Sequence, residues 1–165
     1  MDRSELLAEL SRALPIEVAT PPLPAGNLGL IVVDVVRGFT RQGALSDPAS
    51  MAPMVARLDA LARELDRRLG RRLRVLLLRD SHAADLPEPP YPPHCVRGTG
   101  EDELDPGVAW LADHPGAVVI DKDCINGFVG ALRPAGDGLW RNELIDWVRA
   151  NELSVLYPLA FRFRT

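Results

Sequence analysis

An α/β fold with a mostly parallel sheet is predicted by three features of this 165-residue sequence. Short apolar runs end in acids, an amphipathic helical stretch separates the first two runs, and loops rich in Pro and Gly follow them. The run LGLIVVD, ending at Asp34, is continuously apolar and β-branched rather than alternating, as a strand buried on both faces must be. From Asp47 to Leu69, Met54, Leu58, Leu61, Leu65 and Leu69 step by three or four along one helical face, and Gly70 supplies a stop. LRVLLLRD, Leu73 to Asp80, predicts a second buried strand, and AVVID, Ala117 to Asp121, a third. LWRNELIDWVRAN predicts a helix with Leu139, Leu144, Ile145 and Val148 inward, and LSVLYPLAF a fourth strand compromised by Pro158.

Residues 1–14 read as a short amphipathic helix, with Ser4 as N-cap and Leu6, Leu7, Leu10 and Leu14 on one face. Pro15 to Asn27 reads as a Pro-rich linker. Residues 1–27 thus form a lead-in, and 28–165 hold one domain. The net charge of −4 disfavours a broad nucleic-acid face, and no apolar run is long enough for a membrane span. Two cysteines form no disulfide framework, and the acidic start is unlike a secretory signal, so a cytoplasmic protein is expected.

In parallel sheets, ligands gather outside the carboxyl ends of the strands. Asp34, Asp80 and the Asp121–Lys122 pair all stand at such ends. Any one of them has an ordinary explanation as a turn or a helix cap; three on one sheet edge point to a site. Lys122 is the sole lysine among 19 basic residues. Lys differs from Arg in being a compact charge and in losing its proton when desolvated. The stretch Ser81 to Pro106 adds His82, Glu88 and His94. Two histidines and carboxylates in a Pro-stiffened loop suit a divalent metal such as zinc, iron or manganese. A solvated loop with two incidental histidines has the same spacing. His114, in the turn-like DHPG, reads as surface. Cys95 and Cys124 adjoin His94 and Lys122, where a thiolate would be favoured, yet a buried inert thiol is the commoner state.

Together these segments resemble the isochorismatase-like cysteine hydrolases, and among them the nicotinamidases. The resemblance rests on LGLIVVDVVRGF, on RDSH followed by PPHCVRGTGEDEL, and on VIDKDCINGF, in order from about Leu28 to Ala150. It implies a three-layer fold in which Asp34 shuttles the proton and Lys122 lowers a thiol's pKa and steadies developing charge. It also implies Asp80, His82, Glu88 and His94 as ligands of a divalent metal that anchors the ring nitrogen of a small amide, nicotinamide. A thiolate would attack the amide carbon and water would release the acid. Val36 replaces the Gln usual two residues beyond the Asp.

The family's G-x-x-T-x-x-C-V nucleophile motif has no counterpart in SVLYPLAFRFRT. The expectation is therefore a truncated or frame-shifted member lacking the last strands and helix, with an exposed edge that invites a homo-oligomer. A metal-free isochorismatase-type hydrolase and a catalytically dead metal- or ligand-binding remnant are the alternatives.

Overall fold

The computed structural model describes residues 23–160 apart from 87 and 137, so the expected helix over 1–14 and most of the linker lie outside the described residues. Four strands form one parallel sheet: β1 (Asn27–Val33), β2 (Leu73–Asp80), β3 (Val118–Lys122) and β6 (Leu153–Ala160), in the order β3-β2-β1-β6. A separate antiparallel pair joins β4 (Leu132–Pro134) to β5 (Trp140–Asn142). The helices are α1 (Arg37–Thr40), α2 (Pro48–Leu69), α3 (Gly127–Gly130) and α4 (Glu143–Ala150).

The pleat of the sheet sorts its residues into two cores. Leu28, Leu30 and Val32 of β1 and Leu73, Val75 and Leu77 of β2 face α2, meeting Val55, Leu58, Ala62, Leu65 and Leu69. Ile31, Leu76, Leu78 and Ile120 face the other way, onto Trp147 of α4 with Leu144 and Val148 beside it. Helices therefore cover both faces, which is why β1 and β2 are apolar throughout. Asp47 caps α2, its carboxylate accepting the Ser50 N–H at 3.2 Å, and Gly70, at φ 51, ends it. The buried stripe is rotated from the one predicted: Val55 and Ala62 face the core, while Leu61 is exposed.

Residues 139–142 correct a second expectation. Leu139 is exposed and Trp140–Asn142 pairs with Leu132–Pro134, so the helix begins only at Glu143. Asn142 is its N-cap, accepting the Ile145 N–H at 3.1 Å, and Trp147 is the residue it buries. The fourth strand forms despite Pro158, which stands opposite Ile31 on the strand that is outermost among the described residues, where a missing N–H is tolerated. His114 is buried, not on the surface: its Nε2 lies 3.3 Å from Asp66 Oδ1 on α2. Among the described residues no helix is long and apolar enough to cross a membrane.

Candidate active site and metal cluster

Parallel pairing of neighbouring strands brings their carboxyl ends side by side. Leu78 stands beside both Val33 and Ile120, and Asp80 stands opposite Lys122. The chain turns sharply at Asp34, which sits at φ 59 with its N–H donated to the Leu78 carbonyl at 2.9 Å. A non-glycine residue in that region is strained, and here the strain turns the carboxylate toward β2 and β3.

Lys122 is almost completely buried. Its Nζ lies 3.0 Å from Asp34 Oδ1, donates to Asp80 Oδ1 at 3.0 Å and donates to the Cys124 carbonyl at 3.1 Å. Burial works against its charge, but Asp34 and Asp80 outweigh burial and hold the ammonium above its ordinary pKa. Of the two properties that set Lys apart, the compact charge is the one in use. The contact with Asp34 is an ion pair off the hydrogen-bond direction, leaving Oδ1 buried without an aligned donor. Burial is accordingly the largest influence on Asp34 and lifts its carboxyl to about 6, against the pull of Lys122.

The other oxygen of Asp80 faces a pair of imidazoles. His82 Nε2 is 3.2 Å and His94 Nε2 3.3 Å from Asp80 Oδ2. Asp80 and His82 meet because the backbone stays extended past the strand. The His82 N–H donates to the Cys95 carbonyl and its C=O accepts from Arg97, both at 3.0 Å, placing His82 beside Val96 in a parallel bridge. His94 Nδ1 lies 2.8 Å from the Pro92 carbonyl. A carbonyl can only accept, so Nδ1 carries a proton in that bond, and Nε2 is the ring nitrogen aimed at the cluster. One ligand atom each from Asp80, His82 and His94 lies within 4.8 Å of the others, and all three residues are buried. A carboxylate and two imidazoles packed this way fit a divalent metal. Glu88 stands at the margin: its Oε2 is 3.7 Å from His82 and 3.6 Å from His94, while its Oε1 accepts the Ile125 N–H at 3.1 Å.

The six expected site residues, Asp34, Asp80, His82, Glu88, His94 and Lys122, thus converge, whereas Asp121 does not join them and instead pairs with Arg79 at 2.7 Å. Asp34, Asp80, Glu88, His94 and Lys122 line a small cavity together with Phe39, Leu45, Tyr91 and Ile125. Leu45, Tyr91 and Ile125 were not anticipated. Phe39 is held there by α1, which Asp105 secures by accepting from Thr40 at 2.7 Å and from both Arg41 Nε and Nη2. A roomier groove between α2 and β6 is lined mainly by apolar side chains, among them Met54, Leu58, Leu61 and Leu159, with Ser50 and Arg57 its polar members, and it gathers none of the strand-end acids or histidines. Neither cysteine is set up as a nucleophile. Cys95 is fully buried, and burial followed by the charges of Asp80 and Asp34 pushes its thiol far up. The Cys124 Sγ lies 3.4 Å from the Asn126 carbonyl.

Comparison with known proteins identifies the family. Residues 29–157 match the Isochorismatase domain. The chain is 38% identical over 159 residues to nicotinamidase 1 of Arabidopsis thaliana; the match takes in 90% of this chain but 61% of the relative. Among solved structures, N-carbamoylsarcosine amidase of Thermoplasma acidophilum superposes with a TM-score of 0.59 at 27% identity, over 81% of this chain and 67% of that one. The pyrazinamidase of Pyrococcus horikoshii, in complex with zinc, superposes with a TM-score of 0.62 at 24% identity, over 82% of this chain and 71% of that one, a likeness of fold. The match to the Isochorismatase domain, which spans most of the chain, places it in the isochorismatase family.

Proposed function

We propose that this domain carries the acid–base and metal-holding parts of a site that hydrolyses the carboxamide of nicotinamide to nicotinic acid and ammonia. The observation that carries the proposal is the junction of two units at one sheet edge, an Asp34–Lys122–Asp80 charge cluster and a buried Asp80–His82–His94 trio. Asp34, with a pKa of about 6, can accept and return a proton near neutral pH. Lys122, charged and fixed on two carboxylates, stabilises negative charge developing on an amide oxygen. Phe39, Leu45, Tyr91 and Ile125 give the cavity its apolar walls. Asp80, His82 and His94, with Glu88 nearby, would hold the metal, which supplies an anchor for a ring nitrogen and so orients the amide. The match to a nicotinamidase at 38% identity favours this substrate over other amides.

The two cysteines favour a second reading. With Cys95 sealed and Cys124 turned to a backbone carbonyl, the domain would bind metal and ligand without a covalent step. Ammonia release from nicotinamide by the metal-loaded protein separates the two. The first reading, in which water attacks the amide carbon as Asp34 takes its proton and ammonia leaves with that proton, expects release that Lys122→Ala abolishes and that Cys124→Ala leaves unchanged. A folded protein that retains its metal and releases no ammonia selects the second.

A further inference from the structure

Loop 123–126 forms one wall of the cavity and lies outside the metal cluster, yet a single carboxylate connects the two. Glu88 Oε1 accepts the Ile125 N–H at 3.1 Å, and Glu88 Oε2 faces His82 Nε2 and His94 Nε2 at 3.7 and 3.6 Å. The first contact is a hydrogen bond; the other two are too long to be. Oε2 is therefore committed to neither imidazole, whereas Asp80 Oδ2 lies within 3.3 Å of both. The rest of the wall is tied down at its flanks. Lys122 donates to the Cys124 carbonyl, and Asn126 accepts from Phe128 and Val129 at the start of α3. Ile125 stands between these anchors, lines the cavity and is 67% exposed, so it has little packing of its own to fix it.

We propose that Glu88 is a positioning residue through which occupancy of the Asp80–His82–His94 cluster sets the position of Ile125, and with it the wall against which substrate rests. The inference rests on the metal-binding reading given under Proposed function. A divalent cation among the three ligands attracts the free oxygen of Glu88. The two oxygens share one rigid planar group, so drawing in Oε2 holds Oε1, and the Ile125 N–H bonded to it, in one place. Because coupling of this kind is reciprocal, a fixed loop in turn strengthens metal binding by the same factor.

The test is amide hydrogen exchange at Ile125, followed by NMR with and without zinc, beside zinc retention measured by dialysis and atomic absorption. In the wild-type chain, zinc is expected to slow Ile125 exchange about tenfold, a usual size for coupling between two sites. Glu88→Gln keeps an oxygen for the Ile125 N–H but removes the charge, so protection should persist without zinc and gain nothing from it. Glu88→Ala should leave Ile125 unprotected in both states while the exchange of core β2 amides is unchanged, a pattern that general destabilisation does not produce. Zinc retained by the wild type with Ile125 exchange unaltered overturns the coupling and leaves the metal reading standing. A folded wild type that retains no zinc overturns both.

Discussion

Two carboxylates and one ammonium meet at 3.0 Å at the edge of the sheet, and their titration is the property most open to test. Asp34 is mostly buried, its carboxyl raised from 3.8 to about 6 by desolvation, with Lys122 pulling the other way. A carboxyl whose folded pKa lies above its unfolded value adds stability that is complete below about 3.8 and lost as pH rises through about 6. Metal-free wild-type protein should therefore lose stability relative to Asp34→Asn across that window, read as a denaturation midpoint that falls in one and stays flatter in the other. Carbon-13 NMR of the Asp34 carboxyl should show the same midpoint near 6. In Lys122→Met the midpoint should move higher still, because the cation that opposes burial is gone. A wild-type midpoint at or below 4 would show that Lys122 outweighs desolvation. The strand-end acids and the lone lysine were legible in the sequence because parallel pairing sends strand ends to one place. Which effect governs each pKa was not, since that depends on depth and on angles of approach.

At the level of elements, α3 owes its position to a glycine. A Cβ on Gly130 would lie 2.5 Å from the Cβ of Lys122 and 3.3 Å from Cys124 Sγ, so the short helix packs onto β3 at a distance no larger residue permits. Gly130→Ala is expected to force the two apart, costing about 1–3 kcal/mol by urea denaturation. It should also disturb the Lys122–Asp80 contact, seen as a changed Asp34 titration. An unchanged midpoint together with an unchanged titration would show that the contact yields without cost. No sequence pattern announced this constraint, because the clash is between residues of different elements. The long helix α2 was legible from its Asp47 cap, its stripe and Gly70, all of them local signals. Residues 139–142 were misread for the same reason. Leu139 and Trp140 continue the apolar spacing of α4, but pairing of Leu132 with Asn142 outweighs it and leaves Asn142 as the cap. His114 was misread because its partner, Asp66, is 48 residues away. Tyr91 and Ile125 escaped notice because loops, not periodic elements, bring them to the cavity.

Across the whole molecule, both faces of the sheet are covered but its two edges differ. β3 presents five residues and β6 eight, and among the described residues β6 pairs only with β1. Toward α2, Val155, Tyr157 and Leu159 are half-buried; on the opposite face Leu156 is 42% exposed. A long edge with unpaired backbone groups and an apolar side chain is a template for pairing with another chain, and Pro158 removes only one donor from it. Wild-type protein is therefore expected to associate with rising concentration in sedimentation velocity, and Leu156→Lys to reduce that association. Because Leu156 is substantially exposed, the charge should alter folding stability by no more than about 0.5 kcal/mol. Association that survives Leu156→Lys would move the contact elsewhere, to the exposed Phe128, Val129, Leu139 and Trp140 or to Ile125 on the cavity wall. If Ile125 takes part, ligand access and self-association would compete, and nicotinamide at saturating concentration should shift the monomer fraction. A strand-edge contact through β6 would be indifferent to nicotinamide, so the same sedimentation experiment with and without ligand distinguishes the two surfaces.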